Sequence, residues 1–111
     1  MQELTTFLLK GVQKLNVSKI TNLKIIATAV IREATDTKPF IDEVEKLFKT
    51  KINILSGEEE ATCTAEGVKI GFENVDGLVA DLGGGSLELA RVENNIVTNK
   101  TSLPVGVLRL M

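Results

Sequence analysis

Leu78-Val79-Ala80-Asp81-Leu82-Gly83-Gly84-Gly85-Ser86-Leu87-Glu88-Leu89 decides how this chain is read. The apolar run 77–82 has the character of a strand, three successive glycines break it, and 87–92 resumes as a second strand. Three glycines in a row cost backbone entropy and give a core no side chain. What they allow is close approach of main-chain N–H groups to a ligand, in conformations that other residues resist. Successive amides in such a turn form a concave anion site of the kind that cradles phosphate. Ser86 adds a hydroxyl donor, and Asp81 at the strand end is placed to bind Mg²⁺ or to orient a water beside that phosphate. The alternative reading of the same residues is a flexible β-turn with an incidental aspartate. Leu87 and Leu89 share one strand face and Glu88 the other, so Glu88 faces either the same site or solvent.

After the second strand, Asn94-Asn95 suits a tight hairpin turn into a strand over 96–101. The stretch 103–110 is apolar and contains Pro104 and Gly106. On the other side, Ser56 reads as an N-cap and Glu59 completes a capping box, opening a helix that runs to about 68–70. A short strand over 52–55 precedes it. Asp36-Thr37-Lys38-Pro39 starts another helix, with Phe40, Ile41, Val44, Leu47 and Phe48 as its apolar face. The β-branched run 24–31 reads as a buried strand. Leu4, Leu8, Val12 and Leu15, widened by Phe7, predict an amphipathic helix over 2–15. Strands alternating with helices and then a hairpin give an α/β class with a mixed sheet and a C-terminal β-hairpin. No internal boundary is evident, and residues 1–111 read as one domain.

Composition narrows the chemistry. With 111 residues and no histidine, the chain has no Ser-His-Asp triad, no His-Cys zinc site and no imidazole shuttle, so proton transfer falls to carboxylates, with Lys or Cys63 as helpers. The single cysteine makes no internal disulfide, and inside a helix it reads as a small buried hydrophobe rather than a nucleophile. A net charge of −2 argues against a nucleic-acid partner held by broad electrostatic attraction. No apolar run approaches the roughly 20 residues of a membrane span, and residues 1–10 make a poor signal peptide. The expected compartment is the cytoplasm, with no membrane partner.

Two further clusters carry chemical promise. Ser56-Gly57-Glu58-Glu59-Glu60-Ala61 is either a cap with a solvated acidic turn, favoured by the helix dipole, or a site where one carboxylate acts as general base on a water. Arg32, after the run 24–31, is either a surface residue or a guanidinium fork for phosphate oxygens. Both clusters would lie with the glycine loop at strand C-terminal ends if the strands run parallel.

In combination these clusters resemble the exopolyphosphatase/guanosine pentaphosphate phosphatase (Ppx/GppA) family. The matching stretches are Ala27-Thr28-Ala29-Val30-Ile31-Arg32-Glu33-Ala34, then Ile54-Leu55-Ser56-Gly57-Glu58-Glu59-Glu60-Ala61, then residues 78–89 as quoted above. The last is Ser102-Leu103-Pro104-Val105-Gly106-Val107-Leu108-Arg109-Leu110. The resemblance covers nearly the whole chain, and four ordered blocks are more specific than any one. It implies a ribonuclease H-like fold of the actin-like, sugar-kinase and heat-shock-ATPase superfamily. It also implies Mg²⁺-dependent hydrolysis of a phosphoanhydride, in polyphosphate or guanosine pentaphosphate. By the same resemblance Glu60 matches the catalytic base, Arg32 a phosphate-contacting arginine, and Asp81 the aspartate near metal and attacking water. Gly83, Gly84, Gly85 and Ser86 match a phosphate-binding loop, and Glu88 an acidic active-site position counted here with Asp81 as a metal ligand.

Two departures from the family pattern stand out. Leu87 replaces a usual threonine, and residues 1–111 contain no match to the first phosphate loop of the type Asp-x-Gly-Ser-Asn-Ser or to the closing second domain. The expectation is a partial domain with half an active site, inactive or weakly active by itself. The competing expectations are a sugar-kinase-like or heat-shock ATPase relative, a phosphate- or nucleotide-binding module without turnover, and a dimerising module. Exposed sheet edges would pair two copies in the last of these.

Overall fold

The computed structural model describes residues 2–15 and 23–110. In chain order the elements are α1 (Gln2–Leu15), β1 (Ile25–Ala27), α2 (Ala29–Glu33), α3 (Lys38–Phe48) and β2 (Ile52–Ile54). They continue with α4 (Gly57–Gly71), β3 (Gly77–Leu82), β4 (Leu87–Glu93), β5 (Ile96–Leu103) and α5 (Val107–Leu110). They group into two compact units, one drawn from Met1–Ala27 and Ala34–Ile54, the other from Thr28–Glu33 and Leu55–Met111.

In the first unit β1 and β2 pair in parallel, Ile25 opposite Ile52 and Ala27 opposite Ile54. The apolar spacing of α3 buries Phe40 and Val44, and Lys49 ends the helix in the left-handed region at φ 54°. Glu45 of α3 accepts a 2.7 Å hydrogen bond from the Ile52 amide, which ties the helix to β2. On α1, Leu8 is half-buried while Phe7 and Leu15 are exposed; the expected contributions of Leu4 and Val12 lie outside the described side chains.

The strand expected over 24–31 extends only over Ile25–Ala27. Its partner β2 ends at Ile54, so the backbone beyond Ala27 has no ladder to join. It turns at Thr28 into α2, where the Arg32 amide bonds the Thr28 carbonyl at 2.9 Å. The β-branched residues Val30 and Ile31 therefore sit in a helix despite their strand preference.

The second unit is an antiparallel sheet of order β3-β4-β5 with α4 across one face. Asn94 and Asn95, with φ of 48° and 66°, make the β4–β5 turn, both in the positive-φ conformation that a two-residue hairpin of matching twist requires. The Asn95 amide then bonds the Val75 carbonyl at 2.9 Å and fastens the hairpin tip beside β3. The expected capping box is formed: the Glu59 amide donates to Ser56 Oγ and the Ser56 amide to Glu59 Oε1, each at 3.1 Å.

Ala61 and Ala65, four apart on α4, pack on Ala90 and Val92 of β4, with Val75, Val79 and Val97 around them. Cys63, expected to be buried, is exposed. At about 100° per residue it stands roughly 200° around the helix from Ala61 and Ala65, away from the sheet. The chain is α/β with a C-terminal hairpin, as expected; among the described residues the parallel and antiparallel pairings occur in two separate sheets rather than within one mixed sheet.

Candidate active site

Three polar side chains form a row across the sheet. Asp81 of β3 lies directly opposite Glu88 of β4, and Glu88 directly opposite Ser102 of β5. Residues paired in this way share a face, and strand alternation puts Glu88 on the same face as Ala90 and Val92, beneath α4. Glu88 is 2% exposed. A buried carboxylate is tolerated only with hydrogen-bond partners; Ser86 Oγ and Ser102 Oγ both donate to its Oε1, the latter at 3.1 Å. Gly57 brings the start of α4 against this row, because any Cβ there would overlap Ser102 Cβ.

Glu60 belongs to the first turn of α4. Arg32 Nη1 donates to Glu60 Oε2 at 3.2 Å and to the Leu55 carbonyl at 2.7 Å, so α2 and α4 are joined through one guanidinium. The pair is largely covered, with 21% and 18% of the two side chains exposed. Burial is the main influence on Glu60 and raises its pKa above the ordinary 4.5; the Arg32 hydrogen bond and charge oppose it, while the neighbouring Glu88 carboxyl adds to it. The net result is a raised pKa, as a carboxylate needs to take a proton near neutral pH.

Asp81 Oδ2 accepts a 3.0 Å hydrogen bond from Thr64 Oγ1. Sequence reasoning missed Thr64. The usable signal was its place four residues after Glu60, on the same ridge of α4. Arg32, Glu60, Asp81, Ser86 and Glu88 thus all lie in the second unit, with Glu60 linked to Arg32 and Glu88, and Ser86 to Glu88.

The glycine loop closes on itself through the Gly83 amide and the Ser86 carbonyl, 2.9 Å apart. The expectation of conformations that other residues resist is not met: no glycine has positive φ. What glycine supplies here is room, since a Cβ on Gly85 would stand 3.1 Å from Ala29 Cβ of α2.

Among the described residues no group of three or more His, Cys, Asp or Glu side chains gathers as a metal cage. Mg²⁺ commonly takes only one or two carboxylates and fills its shell with water and phosphate oxygens. The opposed carboxylates of Asp81 and Glu88 fit that donor set.

A model described as the Ppx/GppA phosphatase family matches residues 1–111. Among curated relatives, a guanosine-5'-triphosphate,3'-diphosphate pyrophosphatase of Aeromonas hydrophila is 37% identical over 86 residues, covering 77% of this chain and 17% of the relative. A bifunctional 3-dehydroquinate synthase/phosphatase of Fusobacterium nucleatum is 35% identical over 94 residues, covering 80% and 14%. Among solved structures, an Aquifex aeolicus Ppx/GppA family member superposes with a TM-score of 0.74 at 29% identity, covering 97% of this chain and 36% of that one. An exopolyphosphatase from Cytophaga hutchinsonii has the same fold, with a TM-score of 0.86 at 24% identity over 98% and 36%. The chain spans about a sixth of the length of the curated relatives it matches.

Proposed function

The chain belongs to the Ppx/GppA phosphatase family, and on that premise we propose that it carries the water-activating and phosphate-holding residues of a phosphoanhydride hydrolase. Its substrate is a linear polyphosphate or guanosine pentaphosphate, and its compartment the cytoplasm. The observation that supports this most strongly is Glu60: a largely covered carboxylate with raised pKa, 3.2 Å from a guanidinium and neighboured by a second carboxyl. No helix among the described residues is long and apolar enough to cross a membrane.

The chemistry follows from the donors present. The Glu60 carboxylate takes a proton from a water, and the water oxygen bonds to the terminal phosphorus as the bridging P–O bond breaks. The bridging oxygen leaves with the electron pair on the shortened chain. Arg32 has five N–H donors, so it holds a phosphoryl oxygen while keeping Glu60 aligned. Amides of the glycine loop receive the neighbouring phosphate, and Ser86 Oγ stays on Glu88. Asp81 and Glu88 would hold Mg²⁺, which supplies charge neutralisation to the phosphate oxygens. Thr64 and Ser102 keep those two carboxylates in place. Phosphoryl transfer of this kind is mostly positioning and electrostatics.

Phosphate release from polyphosphate with Mg²⁺ tests the assignment. Glu60→Gln is expected to lower release by about a hundredfold or more while polyphosphate still binds, a loss typical of removing a general base. Unchanged release in that variant would overturn the role of Glu60. Binding without release by the unaltered chain would instead make it a phosphate-binding module.

A further inference from the structure

The carbonyl side of the glycine loop is taken up, peptide by peptide, by the segment after β5. The Val107 amide donates to Gly83 O at 2.9 Å and the Leu108 amide to Gly84 O at 3.0 Å. Arg109 Nε donates to Gly85 O at 2.6 Å. Gly106 is buried against the loop, where any Cβ would overlap the Gly84 carbonyl. The Arg109 guanidinium also pairs with Glu33 of α2, the residue after Arg32.

This arrangement has a geometric consequence. Every described peptide bond is trans, and in a planar trans peptide the C=O and N–H point in opposite directions. Anchoring the carbonyls of Gly83, Gly84 and Gly85 on one side turns the amides of Gly84, Gly85 and Ser86 together to the other. Among the described residues, the amides of Gly84 and Gly85 donate to no protein group. Glycine peptides otherwise reorient at little steric cost, and a flipped one would offer an anion its negative carbonyl end in place of its amide.

We propose that residues 106–109 are a backing strap that holds the glycine loop as an array of amides facing an anion. In this strap Arg109 is a positioning residue that acts through the Gly85 carbonyl and links the loop to α2. The anion's identity as phosphate rests on the function proposed above; the strap itself rests on the hydrogen bonds. The Arg109–Glu33 pair is about 40% exposed on both sides, so its ion pairing is the lesser part, and the Gly85 bond and the two backbone bonds do most of the holding.

Two variants perturb the strap differently: Arg109→Met removes the side-chain bond, and Gly106→Ala displaces the segment with no change of charge. Two readouts apply to each, calorimetric binding of inorganic tripolyphosphate and amide hydrogen exchange by NMR. A strap predicts tripolyphosphate binding weakened about fivefold in Arg109→Met and about tenfold or more in Gly106→Ala. It also predicts faster exchange at the Val107 and Leu108 amides in both. If Gly106→Ala does not fold, Arg109→Met alone decides. No tripolyphosphate binding by the unaltered chain would refute the phosphate reading, and the exchange rates would then judge the strap by themselves. Exchange unchanged in Arg109→Met, or binding within twofold of the unaltered chain, would overturn the strap.

Discussion

Helix α4 meets the same sheet face twice, on opposite terms. At one end Ala61 and Ala65 press on Ala90 and Val92, all almost without solvent exposure. Beside it the adjacent ridge of the same helix, Glu60 and Thr64, meets Glu88 and Asp81 at the polar end of the sheet face. The first contact buries apolar surface and holds the unit together. The second buries Glu88 on two hydroxyls, keeps Glu60 largely covered beside a guanidinium, and holds half-buried Asp81 with a third hydroxyl. Packing and the proposed chemistry lie only two residues apart along β4: from Ala90 to Glu88 the interior changes from an apolar contact to a polar network. Proteins depart from local rules of burial mainly at functional or strained sites, which supports the role proposed for this network.

The sharpest way to break this division is to damage the dry end. Val92 is fully buried, and Val92→Ala is expected to cost about 2 kcal/mol of unfolding free energy, read by urea denaturation. Tripolyphosphate affinity of the fraction that stays folded should be unchanged. A loss of affinity comparable to that of Gly106→Ala would show that the two ends are not separable.

Next in size is the wet end. Ser102→Ala removes one of the two hydroxyls on buried Glu88 and is expected to cost about 1 kcal/mol. Its effect on Mg²⁺-dependent polyphosphate binding should exceed its effect on stability. Thr64→Val, which leaves Asp81 without its helix partner, should weaken the Mg²⁺ dependence in the same way, and Thr64→Ser should restore it.

The smallest effect has a sign that the dry end never shows. The raised pKa of Glu60 means that its folded-state contribution is fully present below about pH 4.5 and is lost as pH rises through the folded value. Glu60→Gln is therefore expected to raise the melting temperature at neutral pH, with the gain shrinking as pH falls through the folded value and gone by about pH 4.5. A melting temperature lowered at neutral pH would mean that the Arg32 pairing outweighs the burial.

Local signals were legible in the sequence. The Ser56/Glu59 capping box, the Asn94-Asn95 turn and the apolar stripe of α3 depend on residues within a few positions of one another. So does the alternation that put Glu88 on the face opposite Leu87. Arg32, Glu60, Asp81, the glycine loop and Glu88 could be named because each sits in a short motif.

What escaped depends on partners distant in sequence. Residues 24–31 have strand composition, but β2 offers a ladder only three residues long, and the rest coils into α2. Cys63 sits on a helix whose buried ridge is set by two alanines, a weak apolar signal. Thr64 reaches Asp81 across 17 positions and Arg109 reaches Gly85 across 24, and no local pattern announces either bond.

The measurement that bears most directly on the account is a ¹³C NMR titration of the Glu60 carboxyl in the folded chain. The expected midpoint lies above 4.5 and moves upward when Arg32 is replaced by Met, because the guanidinium is the group that holds it down. A midpoint at or below 4.5 would contradict it, leaving Glu60 an ordinary member of a surface ion pair and the proposed base without its physical ground.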